Sequence, residues 1–350
     1  MTVPSTQAGE ESWRTILAPY MEPSVRRSVV NLLTSVAPYL GLTVAGYFLL
    51  RVSILFPLLL AIPAAGFLVR TFIVFHDCAH ASFLPSKRAN AVLGGVLGVI
   101  VYQPFQCWRH EHAVHHATAG DLDRRGVGDV KTLTVDEYLA EPWWGRLGYR
   151  LFRNPFVMFV LGPLWVVFAG PRLVPRGSTS RIRRSVLGTD LAIAAVIAAG
   201  CLLVGWQDFL LVAGPALWIT GSVGIWLFYV QHQFEDAYWQ HNDEWNYDEA
   251  ALEGSSYLKL PTLLRWFSGN IGLHHVHHLS ARIPNYNLLA AHTETAGLQS
   301  APTLELGEAL GTYRLKLWDE RERRLVTFKQ ARAAAAGVPT RRAATGNSSA

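Results

Sequence analysis

Uncharged runs dominate the pattern of polar and apolar positions along this chain. Residues 28–50 hold 23 positions without a charged side chain, 52–69 hold 18 and 209–231 hold 23. A fourth run of 17, residues 191–207, extends towards Val186 through Asp190. A hydrocarbon core about 30 Å thick takes roughly 20 helical residues to cross. The pattern therefore predicts four spanning helices, at about residues 28–50, 52–75, 186–207 and 209–231. The first two meet at Arg51 and the last two at Asp208, so each pair is predicted to form a tight helical hairpin. Two shorter uncharged runs, 91–106 and 155–171, read as half-buried segments. A helix over the first of them reaches about 24 Å at a rise of about 1.5 Å per residue, short of a crossing.

Charge sets the orientation. Arg26 and Arg27 precede the first span, and Arg172, Arg176, Arg181, Arg183 and Arg184 precede the third. Cytoplasmic segments carry such an excess of basic residues, so residues 1–27 read as a cytoplasmic N-terminal segment. With four crossings both termini lie on that side, and the chain returns to it near His76 and near His232. The fold class predicted is an all-α integral membrane protein: four transmembrane helices in two hairpins, with a cytoplasmic helical cap. Residues 28–330 form one membrane domain, with residues 304–328 reading as an amphipathic, charge-rich helix of the cap. Residues 331–350, "ARAAAAGVPTRRAATGNSSA", are of low complexity and are expected to be disordered. The first 24 residues are polar and carry acids, so no cleavable signal peptide is read there.

Composition agrees with the membrane reading. Only 16% of residues are charged, against about a quarter in soluble domains. The net charge of +5 does not point to nucleic acid, because the basic residues flank apolar runs and do not interleave with aromatics along a groove. Cys78, Cys107 and Cys201 contain no CxxC pair and suggest no disulfide framework.

The candidate chemistry lies in histidine. Ten of thirteen histidines fall in "HDCAH" (76–80), "HEHAVHH" (110–116) and "HHVHH" (274–278). Positions i, i+3 and i+4 share a helical face. His76 and His80 form one such set, His112, His115 and His116 a second, and His274, His277 and His278 a third. All three sets fall at the cytoplasmic boundary in the predicted topology, where they can meet. His110 falls on the opposite face, and His275 at the edge of its own face reads as an outer neighbour of the ligands. Eight imidazoles are too many for one metal and suit two. Structural zinc needs four ligands, usually with Cys. Imidazole serves Fe, Zn and Cu alike, so the donors do not identify the metal.

HxxxH, HxxHH and HxxHH, in this order and at these separations, resemble the integral-membrane fatty acid desaturases, a di-iron family marked by three histidine boxes. The resemblance runs from about Phe67 to Leu288. "WRHEHAVHHATAGDLDRRG" and "GNIGLHHVHHLSARIPNYNL" look most like the delta-12 (omega-6) branch that acts on acyl lipids. The resemblance implies two iron ions, molecular oxygen as co-substrate, and two electrons from a ferredoxin or cytochrome b5. It implies insertion of a cis double bond into an acyl chain, with membrane lipids around the protein; the location expected is a bacterial inner membrane. It also implies a ninth ligand after the fourth span, which "VQHQFE" supplies as His232.

Metal-bound imidazoles need partners for their other ring nitrogen. Asp77, Glu111 and Glu235 lie beside ligands in sequence, and Asn270 precedes His274 by four residues, a place from which it could hold a water near the metal. His241 and His292 match no box and read as surface histidines. Trp108, Trp143, Trp144, Trp239 and Trp266 read as interfacial residues. Neither terminus is long enough for a cytochrome b5-like domain, so a separate electron donor is expected on the basic cytoplasmic face. Two rivals remain at this stage. A hydroxylase or a carotenoid or lipid oxygenase could use the same scaffold. A metal transporter would need ionisable residues at mid-span, and the predicted spans have none there.

Overall fold

The computed structural model describes residues 12–336. Residues 1–11 and 337–350, which include most of the stretch expected to be disordered, lie outside the described residues. Helix α1 (Val25–Leu50) starts where the Ser24 side chain accepts from the Arg27 backbone N–H. A four-residue turn leads into α2 (Leu55–Ala79), which packs along α1. The second half of α2 is buried from Leu68 to Ala79 except at Phe72, because α1, a later apolar helix and the following segment all pack on it. Helices α3 (Lys87–Ile100) and α4 (Phe105–Thr118) come next, bent by 104° at residues 101–104. At this bend Tyr102 takes φ +59°, and its carbonyl accepts from Arg172 Nη2 at 2.6 Å. The run expected as one segment, 91–106, is therefore the end of one helix and the start of the next.

Helix α5 (Trp143–Phe152) is followed by a proline-containing segment, residues 157–172, bent by 55° from it. Helix α6 (Ser180–Val204) begins at a Thr179 cap, six residues before the expected start, and carries its arginines in the first turns. Helix α7 (Trp206–His232) follows after a single residue. The turn falls at Gly205, with φ +87° and ψ 148°, not at Asp208 as expected. Glycine enters that region of backbone space and other residues scarcely do. Asp208 lies in the first turn of α7, where its carboxylate faces the positive end of the helix dipole. Among the described residues, α1, α2, α6 and α7 are the helices long and apolar enough to cross a membrane.

The remaining chain carries short helices: α8 (Tyr247–Glu253), α9 (His274–Leu279), α10 (Leu288–Glu294) and α11 (Phe328–Ala335). The protein is mostly helical but not all-α. Strands β1 (Leu133–Thr134), β4 (Leu317–Asp319) and β5 (Arg324–Val326) form one small sheet, and β2 (Tyr257–Lys259) and β3 (Thr303–Glu305) pair in parallel. In place of the helix expected over 304–328 stand the end of β3, a short helix (Leu306–Ala309), a 3-10 turn and the antiparallel β4–β5 hairpin, in register Leu317 to Val326. Its charges cluster in the turn, "ERER", while Leu317, Leu325 and Val326 are buried. Likewise α11 occupies the first residues of the expected disordered tail.

A buried cation ties these parts together. Arg153, just past α5, is 0% exposed. Its guanidinium donates to Gln233 Oε1 (2.6 Å), the Tyr229 hydroxyl (3.1 Å) and the carbonyls of Lys131 (2.8 Å) and Leu315 (3.2 Å). Tyr229 donates to the same Leu315 carbonyl at 2.6 Å, and Lys316 Nζ donates to the Arg153 carbonyl. Burial, reinforced by the Arg153 charge, pushes the Lys316 ammonium down to about 7.

The α6–α7 turn gives a direct test. A Cβ at Gly205 would meet no atom within 4 Å, so its substitution acts through the backbone alone. Gly205→Ala is expected to destabilise the protein by about 1–3 kcal/mol, read as a lowered midpoint of thermal unfolding in detergent.

Candidate metal centre

Four helix ends deliver the histidines. His76 lies in the last turn of α2, His115 and His116 in the last turn of α4, His232 ends α7, and His277 and His278 lie in the last turn of α9. His80 caps α2, His112 lies one turn further back on α4, and His274 opens α9. These are the nine histidines singled out by spacing and resemblance, and the chain brings them together in two groups. Within each group the candidate ligand atoms lie within 4.8 Å of one another. One group is His76, His80, His112, His116 and His277; the other is His115, His232, His274 and His278. The boxes do not map one to a metal: the second and third each divide between the groups.

The ring nitrogens test whether a metal fits. Nε2 of His232 lies 3.1 Å from Nε2 of His115 and 2.9 Å from Nε2 of His274. Nε2 of His112 and His116 are 3.1 Å apart. Among the described residues, Nε2 of His76, His80, His277 and His278 is buried without a hydrogen-bond partner. Buried polar atoms are rarely left unpaired. A cation placed among these lone pairs satisfies them together, so the residues fit two metal ions. Burial drives the imidazoles of His274, His277 and His278 well below the usual histidine range, followed by the charges of neighbouring imidazoles. They are therefore neutral, the form that binds metal. Each helix also points its negative C-terminal end at the site, which favours a cation there.

Oxygen acceptors fix the rings from outside. Asp77 Oδ1 lies 3.2 Å from His76 Nδ1, Asp129 pairs with His115 Nδ1, and the Gly254 carbonyl lies 3.2 Å from His232 Nδ1. An acceptor at Nδ1 places the proton there and leaves Nε2 as the free lone pair. Asp129 was not foreseen, because no helical spacing links it to His115. Its signal is Gly128, at φ +71°, where a Cβ would lie 2.9 Å from the Glu111 carbonyl and 3.1 Å from His115 Cβ. Only a glycine lets that loop lie on α4 and present Asp129.

Four expected outer residues lie elsewhere. Glu111 Oε1 accepts from Cys107 Sγ at 3.7 Å. Glu235 pairs with Arg324 of β5 at 2.7 Å. Asn270 precedes α9 in a turn, with φ +59°, and its Nδ2 donates to the Asn285 carbonyl at 3.0 Å. It does not share the helical face of His274, because the helix begins only at His274. His275 turns away from both groups, with Nε2 3.2 Å from His292 Nδ1, and burial pushes it down to about 3. His292 is accordingly half-buried, not a surface residue. His241 is exposed between Asp123 and Glu320. Trp108, expected at the interface, stacks on His112 with centroids 4.3 Å apart and also meets Phe72 and Phe75.

Two substitutions separate a ligand from its support. His277→Ala is expected to empty the five-imidazole group, and Asp129→Asn to weaken metal binding about 10–100-fold. Metal content of the purified protein after dialysis checks both; a full complement in His277→Ala would remove that residue from the ligand set.

Comparison with known proteins gives the same direction. The family profile described as Fatty acid desaturase matches residues 16–303. A Fatty acid desaturase from Bacillus subtilis is 48% identical over 313 residues, covering 89% of each chain. An sn-1 oleoyl-lipid 12-desaturase from Synechocystis is 28% identical over 245 residues, 64% of each chain. A chloroplastic omega-6 fatty acid desaturase from Glycine max is 28% identical over 262 residues, 70% of this chain and 56% of that one. The chain thus belongs to the fatty acid desaturase family and is an oxidoreductase.

Proposed function

We propose that this desaturase holds two iron ions in its nine imidazoles and inserts a cis double bond into the acyl chain of a membrane lipid. The observation that carries this reading is the division of the nine histidines into two groups at the ends of four helices, two of them long and apolar enough to cross a membrane. The names of the Synechocystis and Glycine max relatives support an acyl-lipid substrate. An alkyl C–H has no proton of useful acidity, so the imidazoles cannot start the reaction as bases. A bound di-iron centre supplies the oxidising power that such a bond demands. Overall, the acyl –CH2–CH2– unit and dioxygen, with two electrons and two protons, give –CH=CH– and two waters.

The residues of the chain bind and orient. The nine imidazoles fix the ions; Asp77, Asp129 and the Gly254 carbonyl hold three rings in the ligating tautomer. Trp108, Phe72 and Phe75 form an aromatic wall on the five-imidazole side that keeps water from that edge. In this reading the site and both termini face the cytoplasm of a bacterial inner membrane. Electrons come from a separate protein, a ferredoxin or cytochrome b5, docking on the basic face.

Expression in a host of defined fatty-acid content, followed by mass analysis of the methyl esters, tests the reaction. A product lighter by two hydrogens is expected. A product heavier by one oxygen would replace desaturation with hydroxylation.

A further inference from the structure

The "RIPNYNL" stretch that follows the third box carries no metal ligand, yet it is bound tightly into the site. Asn285 is 1% exposed. Its backbone N–H and its Nδ2 both donate to Asp77 Oδ2, at 2.7 and 2.8 Å. The other carboxylate oxygen, Oδ1, faces His76 Nδ1 at 3.2 Å. On its far side Asn285 Oδ1 accepts from Asn31 Nδ2 of α1 at 2.9 Å. A hydrogen-bonded chain therefore runs from the first long helix through Asn285 and Asp77 to His76.

The next two residues clasp this segment to the start of α1. The Tyr286 hydroxyl lies 3.0 Å from Ser28 Oγ and accepts from the Ser24 N–H, also at 3.0 Å. Arg27 donates to Asn287 Oδ1 at 2.6 Å and lies over the Tyr286 ring, and Asn287 donates to the Tyr20 carbonyl at 2.8 Å.

We propose that Asn285 is a positioning residue for the metal centre, acting on His76 through Asp77. A carboxylate rotates broadly about its terminal torsion. Two donors converging on Oδ2 select one orientation, in which Oδ1 receives the His76 Nδ1 proton and Nε2 is left bare towards the five-imidazole group. The position asks for an amide. It must donate to a carboxylate on one side and accept from Asn31 on the other. A leucine does neither, and an aspartate sets two carboxylates against each other. Helix α1 contributes no ligand, and through Asn31 it is the fixed end of this chain.

The inference rests on the reading of the five-imidazole group as a metal site, and the test keeps the two apart. Ferrous ion is titrated anaerobically into purified metal-free protein against a coloured chelator, with no substrate or oxygen. The wild-type chain is expected to take up two ions; uptake of none sinks the site reading itself. Asn285→Asp is expected to bind one of the two ions about 10–100-fold more weakly, with the other unchanged. Asn287→Ala cuts the same clasp without touching Asp77. It is expected to lower the unfolding midpoint of the metal-free protein and leave both affinities as in wild type. Asn285→Ala removes the Nδ2 donor but leaves the backbone N–H on Asp77 Oδ2, and is expected to weaken the same ion by less than Asn285→Asp does. Wild-type affinity in Asn285→Asp, or equal losses in Asn285→Asp and Asn287→Ala, would overturn the proposal. Should Asn285→Asp fail to fold, Asn285→Ala decides: weaker binding of one ion supports the proposal and wild-type affinity for both refutes it.

Discussion

Lone pairs forced together in a buried space are the constraint on which this structure depends. Nine imidazoles aim ring nitrogens at one another within 4.8 Å in each group, and several of those nitrogens have no protein partner among the described residues. Hydrogen bonds between rings cannot satisfy them all, because a neutral imidazole carries one donor and one acceptor. A cation at the centre of each group resolves the conflict, and the two groups are able to hold one each. The ends of α2, α4, α7 and α9 converge for that purpose, bringing their dipoles with them. Helix α9 has six residues and could not persist alone in water. It stands because Leu273, Val276 and Leu279 pack with Leu17, Leu288 and Leu298.

The interleaving of the boxes follows from helical geometry. In the second box, His112 and His116 are one turn apart and serve the same group, while His115 serves the other. In the third, His274 and His278 pair in the same way and His277 crosses over. Each metal position thus draws on more than one helix, and the two together cross-link the ends of four. Loosening the end of α4 or α9 would disturb both groups at once, whereas α2 serves only the five-imidazole group and α7 only the other.

This division also explains what could be read in advance. The long helices were legible because uncharged runs need no tertiary context. Their ends were not, since Thr179 and Gly205 set them through a cap and a backbone angle that hydropathy does not register. The histidines were legible because spacing on a helix fixes direction. Their supports were not. Glu111 is a sequence neighbour of His112 but points about 100° away around the helix, and Glu235 is drawn off by Arg324. Asp129 and Asn285 reach the site from loops, where no period applies. The β4–β5 hairpin was missed because a dense run of charges reads as a helix face until its apolar flanks are seen to pair.

Arg153 gives the C-terminal region a share in holding the histidine cluster. The family match ends at residue 303, whereas the Leu315 carbonyl that Arg153 and Tyr229 both grip lies beyond it. Gln233, next to His232, takes the shortest of the guanidinium's bonds. The last turn of α7 cannot tilt without breaking its hold on the segment that leads into β4. The stiffness of the His232 end is thus borrowed from a part of the chain that the family profile does not cover. Two desaturases with the same three boxes can therefore differ in how firmly they hold the same histidine.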